Sequence, residues 1–269
     1  MIKILIISAN EVRHQYFRKK ISQFKNIKIG LCVVEKNSTR QFYDVISSNK
    51  FTNIEKKHFK DRFISEKKYF SNFINKTKEI KNVIEVNRNE INENLSLRKK
   101  IINIKPDLVI SYGCSIIREP LISIFENKFI NIHLGLSPYY RGSATNFWPF
   151  VLNELQFVGI TYMNIDSGID TGPILHQFRA KMKTTDTIHN VGNKLIIDMV
   201  DNLEKIILNY KKIKPINQNI KLTKKTFKKK DFDKNSVQKL ILNFNKGIIK
   251  EYLNKKDKID KLYPIIQSI

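Results

Sequence analysis

Apolar residues in this chain fall into short β-branched runs separated by longer stretches with helical spacing. Lys3 to Ser8 (KILIIS) is one such run and predicts a buried strand. From Asn10 to Phe24, the apolar and aromatic positions Val12, Tyr16, Phe17, Ile21 and Phe24 fit a helix, and Ile27 to Glu35 predicts a second strand. Strand, helix, strand opens a βαβ unit and points to a parallel sheet. Thr39 to Lys81 is polar and lysine-rich, with Phe51, Phe59, Phe63, Tyr69, Phe70 and Phe73 spaced for helices forming a hairpin or lid. A short strand at Asn82–Val86 and a helix at Asn92–Ile104 follow, and Pro106 closes that helix.

Further strands are predicted at Asp107–Tyr112, Phe129–His133, Val158–Ile165 and Ile174–Arg179, with a short helix at Glu119–Glu126. After Thr184–Asp186 comes an amphipathic helix carrying Leu195, Ile196, Met199, Val200, Leu203, Ile206 and Ile207. A second one, Ser236 to Leu253, has Ser236 as its cap and Val237, Leu240, Ile241, Phe244, Ile248, Tyr252 and Leu253 on one side. The pattern predicts an α/β fold with a mostly parallel sheet flanked by helices. A boundary at Lys211–Pro215 divides it into a catalytic domain, residues 1–208, and a small helical and basic C-terminal subdomain, residues 209–269.

Composition narrows the class. A length of 269 residues, 41% of them hydrophobic, is ample for a core. The apolar run Ile4–Ile7 is too short for a secretion signal, and no run approaches the roughly 20 residues of a membrane span, which predicts a soluble, cytoplasmic protein. Cys32 and Cys114 are too few for a disulfide framework and lack zinc-ligand spacing; both are expected buried and reduced, with no metal site. The net charge of +24 would by itself suggest a non-catalytic basic RNA-binding protein. The 40 lysines spread from Lys3 to Lys261, however, which fits a solvated basic surface better than one binding stripe. Such a field would draw an anionic substrate.

Candidate chemistry concentrates in one stretch. Six of the nine glycines lie between Gly113 and Gly172, where loops of special shape are expected. Asn131 and His133 are two apart in a predicted strand and share a face. Asp166 and Asp170 sit in DSGIDTGP, after another strand, so Asn, His and Asp converge at the carboxyl ends of the sheet. The trio suits acyl transfer to an amine: Asn131 donates to a developing oxyanion, His133 stabilises charge or passes protons, and Asp170 orients the imidazole. A Ser137/His133/Asp170 hydrolase is the rival, but Ser137 has no nucleophile-elbow sequence. The first strand-to-helix turn, SANEVRH, carries neither a dinucleotide nor a phosphate-loop signature. His58 is read as a surface or helix-packing residue, His176 and His189 as ordinary strand and helix-start residues, and Trp148 as core.

FINIH…LSPYYRG followed by DSGIDTGPIL resembles the 10-formyltetrahydrofolate-dependent formyltransferases. The resemblance is sharp from Leu108 to Gln177 and compatible from Met1 to Leu208. It implies a Rossmann-like sheet without the dinucleotide fingerprint, 10-formyltetrahydrofolate as co-substrate, no metal, and Asn131, His133 and Asp170 as catalytic residues. It further implies that Cys114, Ser115, Ile116 and Ile117 bind the pterin mainly through backbone groups. Asp166, Ser167 and Gly168 would close the other side of that pocket, Asp166 by shaping the loop. Arg13 and His14, at a ligand-facing edge, and Tyr140 and Arg141 in the PYYRG turn are the candidate acceptor contacts; Arg141 either grips an acceptor phosphate or pins its loop. Many relatives carry Ser two residues after the catalytic His, where this chain has Gly135, and some carry His where it has Met163. The wording LGLSPYYRGSATNFWP is closest to the sugar-modifying branch, so the expected partner is a small amine acceptor, a nucleotide-linked amino sugar. Methionyl-tRNA is the alternative acceptor, and a homodimer is compatible with either.

Overall fold

The computed structural model describes residues 1–36, 42–223 and 225–269, with only the backbone of residues 42–44. The first residues of the predicted 39–81 helical segment, 39–41, therefore lie outside the described residues.

Five strands form the parallel part of a seven-stranded sheet: β1 (Ile2–Ser8), β2 (Ile27–Glu35), β3 (Val83–Val86), β4 (Leu108–Tyr112) and β5 (Phe129–His133). Two hydrogen-bonded strands complete it, β7 (Gly159–Met163) and β8 (Ile174–Arg179), in the order β3-β2-β1-β4-β5-β7-β8. β7 runs antiparallel to both its neighbours. Alternation along each strand feeds two cores. Ile4, Ile6, Cys32, Val34, Ile110 and Tyr112 face one side, and Leu5, Ile7, Leu31, Val33 and Val109 face the other. That the inner strands are apolar on both faces explains why they read as continuous hydrophobic runs.

Helices α1 (Val12–Ile21), α3 (Asn53–Lys76) and α8 (Ile188–Asn209) cover the first face, through residues such as Phe17, Phe59, Phe70 and Leu203. Between α1 and α3 lies the short α2 (Phe42–Ser47). The second face is covered by α5 (Leu95–Asn103) and α6 (Leu121–Ile124), through Leu97, Ile101 and Leu121. The helix expected at Asn92–Ile104 is divided: α4 (Glu90–Glu93) stops, and Asn94 caps α5 by accepting from the Leu97 N–H.

The C-terminal stretch joins the same first core. β6 (Tyr140–Gly142) and β9 (Lys225–Phe227) pair as a two-stranded sheet, and Phe227 stacks between Tyr140 and Trp148 at ring distances of 5.7 and 4.5 Å. Trp148 is buried at the start of α7 (Trp148–Leu152). The helix expected at Ser236–Leu253 is two helices, α9 (Lys234–Asn245) and α10 (Ile248–Leu262). Gly247, at φ +75°, adopts the left-handed conformation that ends the first. Asp233, not Ser236, caps α9, accepting from the Ser236 N–H, and Ile241 turns to solvent. Among the described residues no helix is long and apolar enough to cross a membrane.

Candidate functional site

In the order β2-β1-β4-β5 the sheet changes direction of winding between β1 and β4, and a crevice opens at their carboxyl ends. A cavity of about 610 Å³ occupies it, lined by residues following β1, β4 and β5 together with parts of α3, α8 and the loop after β7.

Asn131, His133 and Asp170 all line this cavity. Asn131 pairs in register with Ser111 on β4, and the Ser111 hydroxyl donates to Asn131 Oδ1 at 2.8 Å. The amide oxygen is thereby engaged, and Nδ2 is left as the donor available to the cavity. His133 Nε2 donates to the Tyr140 carbonyl at 2.9 Å, while Nδ1 lies 3.4 Å from Asp170 Oδ2. An imidazole between two oxygen acceptors is fixed in orientation. Asp170 sits at φ +52° and also accepts from the Gly142 N–H at 2.8 Å, so its carboxylate ties the DSGIDTGP loop to β6. A Cβ at Gly135 would stand 2.9 Å from His133 Nε2 and 2.8 Å from Thr145 Cβ, so the position is packed around glycine.

The turn after β4 forms one wall. Gly113 has φ +67°, and a side chain there would meet His14 Nε2 at 2.3 Å. Cys114, Ser115, Ile116 and Ile117 follow; Ile117 belongs to the second core, Cys114 and Ile165 pack against it, and Ile116 stands half exposed. Two main-chain groups of the turn are already used: Ser115 N–H donates to Glu35 at 2.8 Å, and the Ile116 carbonyl accepts from Asn92 at 2.9 Å. Burial, with Glu35 adding to it, pushes the Cys114 thiol up to about 12, so it stays protonated. Asp166 accepts from Gly168 N–H at 3.0 Å and from the Thr171 hydroxyl at 2.6 Å, bonds that shape the loop. Ser167 lies in this loop but not in the cavity wall, which Asp166 and Gly168 do line.

The candidate acceptor contacts divide. Arg13 and His14 line the cavity, Arg13 bound to Glu66 at 2.6 Å and His14 Nδ1 2.5 Å from Glu11. Burial works against the Arg13 charge, but Glu66 and Glu11 override it and raise its pKa. Burial pushes the His14 imidazole down despite Glu11. Tyr140 and Arg141 stand outside the wall. The Tyr140 phenol is wholly buried against Glu154, so its side chain is part of the core rather than an acceptor contact. Arg141 donates to the Ile169 carbonyl at 2.9 Å and reaches Thr223, which pins the loop.

Ser137 is buried, its N–H bonded to Thr161 and its carbonyl to Gln177, away from His133. His176 lies on β8, where Nδ1 accepts from the Ser268 N–H. His58, read from sequence as a surface or helix-packing residue, and His189, read as a helix-start residue and second in α8, face each other in the cavity wall. Ser111, Glu35, Arg62 and this histidine pair carry no sequence motif; only the register of β4 on β5 could have drawn attention to Ser111. Among the described residues no group of three or more His, Cys, Asp or Glu side chains is placed to hold a metal ion.

The cavity thus gathers the strand-end trio and the glycine loops at the carboxyl ends of an α/β sheet. The chain belongs to the Formyl transferase family, whose profile matches residues 33–204. It is 32% identical over 195 residues to a methionyl-tRNA formyltransferase of Buchnera aphidicola subsp. Acyrthosiphon pisum, covering 65% of this chain and 62% of that protein. It is also 34% identical over 119 residues to the methionyl-tRNA formyltransferase of Thermodesulfovibrio yellowstonii, covering 41% of this chain and 38% of that one. The chain thus spans less than two thirds of the length of these relatives. Among solved structures, it resembles an N-formyltransferase from Helicobacter canadensis complexed with folinic acid and dTDP-3-aminofucose. There the TM-score is 0.53 at 19% identity, covering 91% of this chain and 81% of that one, a likeness of fold.

Proposed function

We propose that this protein transfers a formyl group from 10-formyltetrahydrofolate to the primary amine of a nucleotide-linked amino sugar. The observation that carries the reading is the meeting of Asn131, His133 and Asp170 at the end of β5, inside the cavity. The pterin end fits the co-substrate: Ile116, Ile117 and Ile165 supply an apolar wall, and Gly113 lets main chain come close. The folate supplies an activated formyl carbon. The acceptor nitrogen bonds to that carbon, the bond to folate N10 breaks, and a proton passes from acceptor nitrogen to N10. Asn131 Nδ2 donates to the oxyanion of the tetrahedral intermediate. His133, backed by Asp170, handles the proton. In this geometry His133 Nε2 is engaged by the Tyr140 carbonyl, so oxyanion stabilisation falls chiefly to Asn131, and His133 handles the proton once Nε2 leaves that carbonyl for the substrate.

A sugar acceptor is favoured by the sequence wording around LGLSPYYRG and by the fold shared with the Helicobacter canadensis enzyme over most of both chains. A methionyl-tRNA acceptor is the second reading, favoured by the names of the relatives and the charge of +24. Formyl transfer would be measured across nucleotide-linked amino sugars, glycinamide ribonucleotide and methionyl-tRNA, with His133→Ala as control. Turnover of an amino sugar, lost in the variant, is the expected result; turnover of methionyl-tRNA alone, falling steeply with salt, would replace it by the second reading. No turnover of any amine would overturn both.

A further inference from the structure

The cavity has two walls on opposite sides of the sheet. Cys114, Ile117 and Ile165 belong to or pack on the second core, whereas Phe59, Phe147 and Phe232 belong to the first. The strand ends bearing Asn131 and His133 lie between them. If the pterin end is the first of these walls, the acceptor meets the second.

That second wall holds three side chains with unengaged nitrogen donors. His58 and Arg62 are one turn apart on α3 and so share a face, and His189 is the second residue of α8. The two imidazoles lie 4.8 Å apart, with His58 against Phe147 at 5.4 Å and Phe232 at 5.7 Å. Arg62 lies over the Phe59 ring at 5.6 Å. Among the described residues its one ion pair runs from Nε, 3.5 Å from Glu66 Oε1, an oxygen that Arg13 already holds at 2.6 Å. Among the described residues, neither Nη of Arg62 nor any ring nitrogen of His58 or His189 has a hydrogen-bonding protein partner. Each of the three is partly exposed where it lines the cavity, so its donors face solvent there with no protein acceptor to displace. A ligand carrying several acceptor oxygens can take them up together.

We propose that His58, Arg62 and His189 form the subsite for a phosphate or diphosphate group of the acceptor, across the sheet from the pterin turn. This rests on the formyl-transfer reading above. The guanidinium fork matches two phosphate oxygens, and each imidazole adds one N–H from another direction. A carboxylate is satisfied by a single fork, whereas donors from two helices suit the several oxygens of a phosphate. Lys229 lines the same wall and adds to its positive field.

The test is calorimetric titration of dTDP, UDP and inorganic pyrophosphate, with folinic acid as the internal control. Arg62→Ala should raise the diphosphate Kd by about tenfold to a hundredfold, the loss of a charge-assisted contact, and leave folinic acid within about twofold. His58→Gln combined with His189→Gln should weaken diphosphates in the same selective way. Undiminished diphosphate affinity in both variants, or no diphosphate binding by the wild type, overturns the subsite. If Arg62→Ala weakens folinic acid as much as diphosphate, its fold is damaged and the double glutamine variant decides. Turnover of a nucleotide-linked amino sugar with a KM indifferent to these substitutions overturns the subsite and leaves formyl transfer standing. Arg62-dependent diphosphate binding without turnover of any amine supports the subsite and overturns formyl transfer.

Discussion

Replacing Ser111 by alanine tests how Asn131 is aimed. The Ser111 hydroxyl donates to Asn131 Oδ1 at 2.8 Å and so fixes which end of the amide meets the cavity. Without it the amide can rotate and present its oxygen to the oxyanion, where it repels instead of stabilising. A neutral hydrogen bond is worth about 0.5–1.5 kcal/mol net, which is about a 2- to 12-fold preference for the productive orientation. With no preference left the productive fraction falls from about 0.7–0.9 to about half, so Ser111→Ala should lower kcat by up to about twofold and leave KM for the acceptor unchanged. Asn131→Ala, which removes the oxyanion donor itself, should cost about 10²–10³ in kcat. The two residues act as a unit, so Ser111→Ala placed on Asn131→Ala should cost nothing further. The assay is single-turnover formyl transfer, which isolates chemistry from product release. Multiplicative losses in the double variant, or a raised KM with kcat intact, would show that Ser111 acts on the substrate directly and refute the orienting role.

Three other substitutions probe the surroundings. Gly135→Ser adds a Cβ 2.9 Å from His133 Nε2 and 2.8 Å from Thr145; it should break the His133–Tyr140 bond, reduce kcat at least about tenfold and cost about 1–3 kcal/mol in urea unfolding, while wild-type activity would refute the packing account. Phe227→Ala removes the ring between Tyr140 and Trp148 and should cost about 3–5 kcal/mol, read from the urea midpoint and from emission of the single tryptophan; an unchanged midpoint would mean β9 does not stabilise the core. His58 and His189 are each pushed down to about 3 by burial first, then for His58 by His189 and Arg62 against Asp61, and for His189 by Arg62 and Lys57. Folded pKa values below the unfolded 6.5 mean the unfolded chain takes up protons first, so stability is greatest above about pH 6.5 and falls as pH drops toward 3. Tm should fall between pH 7 and 4.5, and less so in the His58→Gln/His189→Gln variant; equal slopes would refute the burial account.

The strands were legible because each inner strand is apolar on both faces, a signal that survives without knowledge of partners. Ile27–Glu35, Phe129–His133 and Ile174–Arg179 have the same bounds in sequence and structure. The antiparallel setting of β7 was not legible, since apolar pattern carries no direction. Helix breaks at Asn94 and Gly247 were missed because the apolar spacing runs on through both; a capping side chain and one left-handed residue decide them. The split at Gly247 also shows how a glycine outside the main cluster can matter more for topology than its sequence neighbourhood suggests.

The candidate site divides along the same line. Asn131, His133 and Asp170 were legible because two of them lie on one strand and the third in a loop whose glycines advertise its shape. The turn at Cys114–Ile117 follows a strand directly, so its place at the sheet edge needed no tertiary information. The opposite wall is different in kind. His58 and Arg62 lie on a helix whose apolar spacing gives its packing face but not the loop it meets, and His189 comes from a helix more than a hundred residues further on. Their meeting depends on how α3 and α8 cross β1 and β4, and on Phe147 and Phe232, which come from two further segments. A short motif can mark the reaction because the reacting groups are fixed by one strand and one loop. The proposed acceptor wall is assembled from four separated segments, and so the part of the site proposed to set specificity is the part that the sequence conceals.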